Sequence, residues 1–183
     1  MPRSNALAKP LPPPDVREMH AFAEARRFAA PPRPAALSND YLNHYSEALM
    51  LIELAAADPD LATELARWRP LGYRAYFEAS PLRRAPEALA AYRALTDAQR
   101  GAFEALMLAM DALATAAIAG LQPPCEPGDA ALIAEATLPP FRRLVARAAS
   151  FLNSGGENAG HASEVEEAQA VIDRLIERAG AAP

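Results

Sequence analysis

The chain contains one cysteine and one lysine, and the shortage of cysteine excludes an intramolecular disulfide. Its one cysteine, Cys125, cannot form an intramolecular disulfide, and the acidic neighbour Glu126 disfavours a reactive thiolate. Lys9 is the one lysine beside seventeen arginines, a bias that is typical of a GC-rich, bacterial-like coding sequence. No apolar run of the signal-peptide type opens the chain. We therefore expect a cytoplasmic protein in a reducing environment.

The sequence also lacks the spacings that metal and catalytic sites require. The three histidines, His20, His44 and His161, are far apart, and no Glu-x-x-His pair of the di-iron type occurs. We interpret the reversed pair, His44 and Glu47, as a surface hydrogen bond. No G-x-S-x-G elbow, local Cys/His pair or glycine-rich phosphate loop is present. The sequence therefore predicts no catalytic residue, no metal ligand and no cofactor.

A long apolar run extends from Gly101 to Leu121 and is interrupted by Glu104, Asp111 and Thr115. The two carboxylates make a membrane span costly, at about 2.5–3.5 kcal/mol for a charge near the bilayer centre, so we predict no span. They lie two helical turns apart, about 10.5 Å along the axis. That is too far for tight acid–base coupling without help from another helix, and we interpret the pair as a solvated stripe.

Charge and proline content divide the chain at about residue 37. Residues 1–37 carry a net charge of +3 and residues 38–183 carry −8, which gives −5 for the whole. An acidic body argues against binding to nucleic acid. The prolines of Lys-Pro-Leu-Pro-Pro-Pro prevent a helix at the start, and Asp15 can begin a helix that ends near Pro31. We predict a Pro-rich, partly flexible N-terminal arm with one mobile helix over 1–37, and a helical domain over 38–183.

Residues 38–183 show helical periodicity and no alternation of period two. N-cap residues begin helices at Ser38 and Asp58, and Thr96 forms a capping box with Gln99 before the longest helix, 97–120. The pair Pro139-Pro140 is expected to separate two further helices. The sequence predicts an all-α fold, an irregular helical bundle of five to seven helices, with helix 97–120 at its centre.

One stretch, residues 67–84, differs from the rest because it combines arginines with aromatic residues. We call it the arginine–aromatic segment, and its candidate partner-binding residues are Arg67, Trp68, Arg69, Tyr73, Arg74, Tyr76, Phe77, Arg83 and Arg84. In one interpretation the rings belong to the core and the arginines are solvated. In the other, the arginines surround an exposed aromatic patch that binds a partner.

These features favour a non-enzymatic helical binding or regulatory protein that acts through protein–protein contacts. An alternative is a protein that binds a small anionic ligand or nucleic acid through the arginine–aromatic segment. A third is an enzyme whose carboxylates converge only in three dimensions. Another protein is the expected partner, and assembly into a homo-oligomer is compatible with the sequence.

Overall fold

Over residues 36–157 and 163–180, which the computed structural model describes, the chain forms helices and no strand. The prediction of an all-α fold with five to seven helices is therefore confirmed. The predicted arm lies outside the described residues, except for residues 36 and 37. The seven α-helices of the described residues are α1 (Leu42–Ala57), α2 (Ala62–Leu65), α3 (Tyr73–Ala79), α4 (Ala85–Ala94), α5 (Asp97–Gly120), α6 (Pro127–Asn153) and α7 (Ser163–Gly180).

The helix starts follow the capping residues of the sequence. Ser38 caps a 3-10 turn, Asn39–Tyr41, that leads into α1, and Asp58 caps the 3-10 turn before α2. Before α5, the Thr96 hydroxyl accepts from the Gln99 amide at 3.2 Å, and the Gln99 side chain accepts from the Thr96 amide at 2.9 Å. This reciprocal pair satisfies two backbone donors that a helix N-terminus otherwise leaves free.

Helix α6 corrects the expectation that Pro139-Pro140 separates two helices. The chain stays helical from residue 127 to residue 153, with both prolines inside the helix. Each proline removes a backbone hydrogen bond at a cost of about 3 kcal/mol. The helix continues because Pro140, Leu138, Phe141 and Leu144 are all buried on its inner face. Packing of that face outweighs the local preference of the two prolines.

Helix α6 also shares the central position that the sequence assigned to helix 97–120. It packs against α1, α5 and α7, whereas α5 packs mainly against α6 and α7. Among the described residues α5 is the one helix long and apolar enough to cross a bilayer. Its length and composition alone do not establish a membrane span, because α5 also buries one apolar face in the core.

The core combines alanine-lined helix contacts with one cluster of aromatic rings. Tyr41 lies in its middle and meets Tyr45, Tyr73 and Phe103 at ring-centroid distances of 5.5, 5.2 and 6.4 Å. Phe103 stacks on Phe151 at 5.0 Å. Edge-to-face and offset contacts of this kind stabilise a core beyond the burial of area alone. The cluster therefore holds the start of the domain and α3 against α5 and α6.

Helix α6 ends in a Schellman motif formed with the two glycines that follow it. The Gly156 amide donates to the Phe151 carbonyl at 2.9 Å, and the Gly155 amide donates to the Leu152 carbonyl at 3.3 Å. The Gly156 carbonyl in turn accepts from the Gln99 side chain at 3.2 Å. The C-terminus of α6 is thus attached to the N-terminal cap of α5.

Candidate functional site

The rings of the arginine–aromatic segment belong mainly to the core. Trp68, Tyr73 and Phe77 are buried, and Tyr76 is half-buried. The Tyr73 hydroxyl accepts from the Ser38 amide at 2.9 Å, and burial raises the pKa of Tyr73 to about 12. These rings therefore do not form an exposed patch, and the interpretation that assigns them to the core fits the structure.

His44 and Trp68 form a stacked pair. The His44 ring lies 4.8 Å from the Trp68 ring at an interplanar angle of 19°. The Trp68 indole donates to the His44 carbonyl at 3.1 Å, and His44 Nε2 lies 2.9 Å from the Arg69 carbonyl. The imidazole therefore bonds to the backbone of the next segment, and the expected surface hydrogen bond to Glu47 is wrong. The pair joins α1 to the chain that follows α2.

The arginines of the segment are exposed, and most of them already have partners. Arg69 donates to the carbonyls of Ala66 and Trp68 at the end of α2. Arg83 is exposed and has no partner among the residues that the structure describes. The other three pair with carboxylates three or four residues away on the chain, as Arg67–Glu64, Arg74–Glu78 and Arg84–Glu87.

The arginines also border different parts of the surface. Arg67 and Arg69 line a cavity of about 290 Å³ together with the acidic residues Glu47 and Glu64. Arg74 lines a different cavity, and Arg83 and Arg84 line neither. Charges that are paired and divided in this way provide no common site for an anion. The partner-binding role of the nine residues stays a prediction.

A second cavity combines two carboxyl groups with apolar and aromatic walls. It has a volume of about 280 Å³, and we call it the tyrosine–carboxylate cleft. Helix α5 contributes one long wall, and residues of α3 and α4 contribute the other. Its lining residues are Gly72, Tyr73, Arg74, Tyr92, Phe103, Glu104, Met107, Leu108 and Asp111.

Glu104 is held in the cleft by a tyrosine of the opposite wall. The Tyr92 hydroxyl donates to Glu104 Oε1 at 2.7 Å. The pKa of Tyr92 rises to about 12, because the ring is partly desolvated and because its hydroxyl bonds to this carboxylate. Tyr92 is therefore a neutral donor at physiological pH, and it leaves the second oxygen of Glu104 available to a ligand.

Asp111 lies at the end of a chain of hydroxyl groups that runs into the core. The Tyr45 hydroxyl lies 2.8 Å from Asp111 Oδ1, the Tyr41 hydroxyl lies 3.0 Å from that of Tyr45, and the Leu71 carbonyl lies 2.7 Å from that of Tyr41. Both tyrosine rings are completely buried. Burial raises the pKa of both hydroxyl groups, so neither tyrosine loses its proton in the physiological range.

The Asp111 carboxyl is itself half-buried, and burial raises its pKa. The hydrogen bond from Tyr45 and the nearby His44 act in the opposite direction. The interpretation as a solvated stripe therefore holds for Glu104, which is exposed, and is wrong for Asp111, which is half-buried and bonded to Tyr45. No local sequence signal pairs Tyr45 with Asp111, which is 66 positions away.

The cleft has the composition of a binding site for a cation with an apolar stem. Phe103 and Met107 are buried at its base, and Leu108 is 68% exposed beside them. The Tyr73 and Tyr92 rings stack at 5.0 Å and offer a further aromatic surface. No histidine, cysteine or serine lines the cleft, and over residues 36–157 and 163–180 no group of three metal-ligating side chains occurs. The carboxyl groups of the cleft can contact a positively charged group, and its apolar base can contact an aliphatic chain.

Comparisons of this chain with protein-family models, with curated proteins and with solved structures find no match.

Proposed function

We propose that this protein is a non-enzymatic binding protein, and that it captures a basic segment of a partner protein in the tyrosine–carboxylate cleft. The observation that supports the proposal is the pair of carboxyl groups, Glu104 and Asp111, each bonded to a tyrosine beside an apolar base. This proposal retains the protein–protein function expected from the sequence. It moves the site from the arginines to the acidic wall of α5.

The charge of the cleft favours a cation. Among the described residues neither Glu104 nor Asp111 forms an ion pair. Arg74 also lines the cleft, but its guanidinium pairs with Glu78 at 2.6 Å. Residues 38–183 carry a net charge of −8, which attracts basic segments over a longer range. A lysine or arginine of the partner therefore has a favourable approach and two carboxyl groups to contact.

The spacing of the carboxyl groups favours a protein segment over a small amine. Glu104 and Asp111 are separated by about two turns of α5, or about 10.5 Å along its axis. One small cation cannot contact both groups at that separation. A segment with two basic residues can, and the aliphatic stems of those residues would cover the apolar surface of Met107 and Leu108.

The test is a titration of the full-length protein with the peptide acetyl-Arg-Ala-Ala-Arg-amide, followed by two-dimensional amide NMR. We expect shift changes concentrated at residues 72–74 and 103–111. Glu104→Gln should weaken binding about tenfold, since a hydrogen bond to a charged group contributes about 1.5 kcal/mol.

The matched control is Asp97→Asn, which removes one charge from the same helix at a fully exposed position outside the cleft. This variant should bind like the natural protein, and the peptide acetyl-Glu-Ala-Ala-Glu-amide should not bind. Equal losses in Glu104→Gln and Asp97→Asn would reduce the interaction to general charge attraction and overturn the proposal. Shift changes located outside the cleft would also overturn it.

A further inference from the structure

The chain of hydroxyl groups behind Asp111 has more links than its two tyrosines can supply with hydrogens. From the Leu71 carbonyl to the Asp111 carboxyl there are three oxygen–oxygen contacts, at 2.7, 3.0 and 2.8 Å. A carbonyl and an ionised carboxylate only accept, and each tyrosine donates one hydrogen. If Asp111 is ionised, Tyr45 donates to it and Tyr41 donates to Leu71. The 3.0 Å contact between the two tyrosines then has no hydrogen.

A proton on Asp111 completes the chain. The carboxylic acid then donates to the Tyr45 oxygen, Tyr45 donates to the Tyr41 oxygen, and Tyr41 donates to the Leu71 carbonyl. Every contact holds one hydrogen, and every donor points in the same direction. With an ionised Asp111, the two tyrosine oxygens would face each other at 3.0 Å in the core with no hydrogen between them, and the low local dielectric makes that contact unfavourable.

From this hydrogen count, and resting on the function proposed above, we infer that Asp111 carries a proton in the empty cleft and releases it when a basic residue of the partner binds. The carboxylic acid and the cationic side chain then become a carboxylate–cation pair and one proton. The proton leaves to the solvent, because Asp111 lies at the opening of the chain and is half-exposed. Partner capture is therefore coupled to pH.

The groups around Asp111 are consistent with this assignment. From α1, a hydrogen bond donated by Tyr45 to an ionised carboxyl and the nearby His44 both act to lower the pKa of Asp111, whereas burial, the largest influence, raises it. From α3, Arg74 lines the same cleft and is occupied by Glu78.

Arg100 of α5 acts on Tyr92, but it pairs with Asp97 at 3.6 Å and donates to the Leu95 carbonyl. Tyr92 of α4 is a neutral donor to Glu104, which is the other acid of the cleft on α5. From α6, the ring next to Tyr45 is the apolar Phe141. A bound arginine or lysine thus brings a free positive charge that the empty cleft lacks.

The first measurement uses the same probe, acetyl-Arg-Ala-Ala-Arg-amide, by calorimetry between pH 4.5 and pH 8 in two buffers with different heats of ionisation. We expect proton release at the lower pH values. Affinity should rise about tenfold per pH unit there and become constant once Asp111 is ionised in the free protein. Asp111→Asn should abolish the proton release and this dependence. Glu104→Gln should bind more weakly and keep both.

The second measurement needs no ligand and separates this inference from the proposed function. Carboxyl carbon NMR of the free protein, with Asp111 assigned from Asp111→Asn, should show Asp111 protonated above pH 3.8, its ordinary value. Tyr45→Phe removes the acceptor of that proton and should move the transition toward lower pH. A move toward higher pH would mean that Tyr45 donates to an ionised Asp111, and it would overturn the inference. Titration of Asp111 at or below its ordinary value overturns the inference, as does probe binding that is independent of pH. Absence of probe binding alongside a raised Asp111 transition would instead overturn only the proposed function and the coupling.

Discussion

The end of α6 provides a matched pair of glycines that should respond very differently to the same substitution. Gly155 has φ of +66° and Gly156 has φ of +92°, so both lie in the region that favours glycine. A Cβ on Gly155 would meet nothing within 4 Å. A Cβ on Gly156 would meet Leu95 Cδ2 at 2.9 Å and Phe151 Cζ at 3.3 Å. Gly155→Ala therefore measures backbone strain alone, and Gly156→Ala adds steric overlap.

The magnitudes follow from these two contributions. A left-handed alanine costs about 1–2 kcal/mol, and the lower entropy of the unfolded chain returns about 0.4–1 kcal/mol, so Gly155→Ala should cost about 1 kcal/mol. Leu95 is 7% exposed, and Phe151 is completely buried and stacked on Phe103. Neither can move away freely, and overpacking of this kind adds about 1–3 kcal/mol. Gly156→Ala should therefore cost about 2–4 kcal/mol.

Urea unfolding, followed by circular dichroism, gives both free energies of unfolding from the midpoint and the slope. The slope should be the same for the two variants, since neither changes the surface exposed on unfolding. If Gly156→Ala is no less stable than Gly155→Ala, the Schellman end of α6 does not pack against Leu95 and Phe151 as described, and the reasoning fails.

Three further predictions concern stability. Leu113→Ala, at a completely buried position of α5, should cost about 2–5 kcal/mol, and a thermal midpoint equal to that of Leu108→Ala would show that this face is not core. Folding raises the pKa of Asp111, so its contribution to stability is fully present below pH 3.8 and is lost as pH rises through the raised value. The free energy of unfolding of the natural protein, measured by urea titration, should therefore fall relative to that of Asp111→Asn over this range. A difference between the two proteins that is constant with pH would contradict the raised pKa. Charge reversal at Arg83 and Arg84 should change stability by less than about 1 kcal/mol, since the Arg84–Glu87 pair is well exposed, and a larger loss in thermal unfolding would place these arginines in structural contacts.

The sequence predicts those parts of the fold that depend on residues close together in the chain. Ser38, Asp58 and the Thr96–Gln99 box begin helical segments as expected, because a cap bonds to amides two or three positions away. The pair Pro139-Pro140 wrongly predicts a helix end. The free energy that the prolines cost the helix is smaller than the free energy gained by burying their neighbours. Packing against α1, α5 and α7 decides the outcome, and a single sequence does not show which helices will meet.

The candidate site depends on pairs that are distant in sequence. The sequence indicates that Glu104 and Asp111 form a solvated stripe, and it does not show that Tyr92 and Tyr45 bring hydroxyl groups to them from two other helices. The arginine–aromatic segment attracts attention by composition, yet its rings are used for the core. Composition therefore identified three of the buried rings, Trp68, Tyr73 and Phe77, but not the completely buried ones at the middle of the cluster. It did not identify the cleft, whose acids are too sparse to stand out.

The stacking of Trp68 on His44 gives the molecule an internal optical reporter. Trp68 is the only tryptophan of the chain, so its ultraviolet emission comes from a single position, where α1 meets the chain after α2. Loss of the contact with the His44 ring would expose the buried indole and shift its emission toward that of a solvated ring. The wavelength of maximum emission should therefore follow the opening of this one junction, without any label attached.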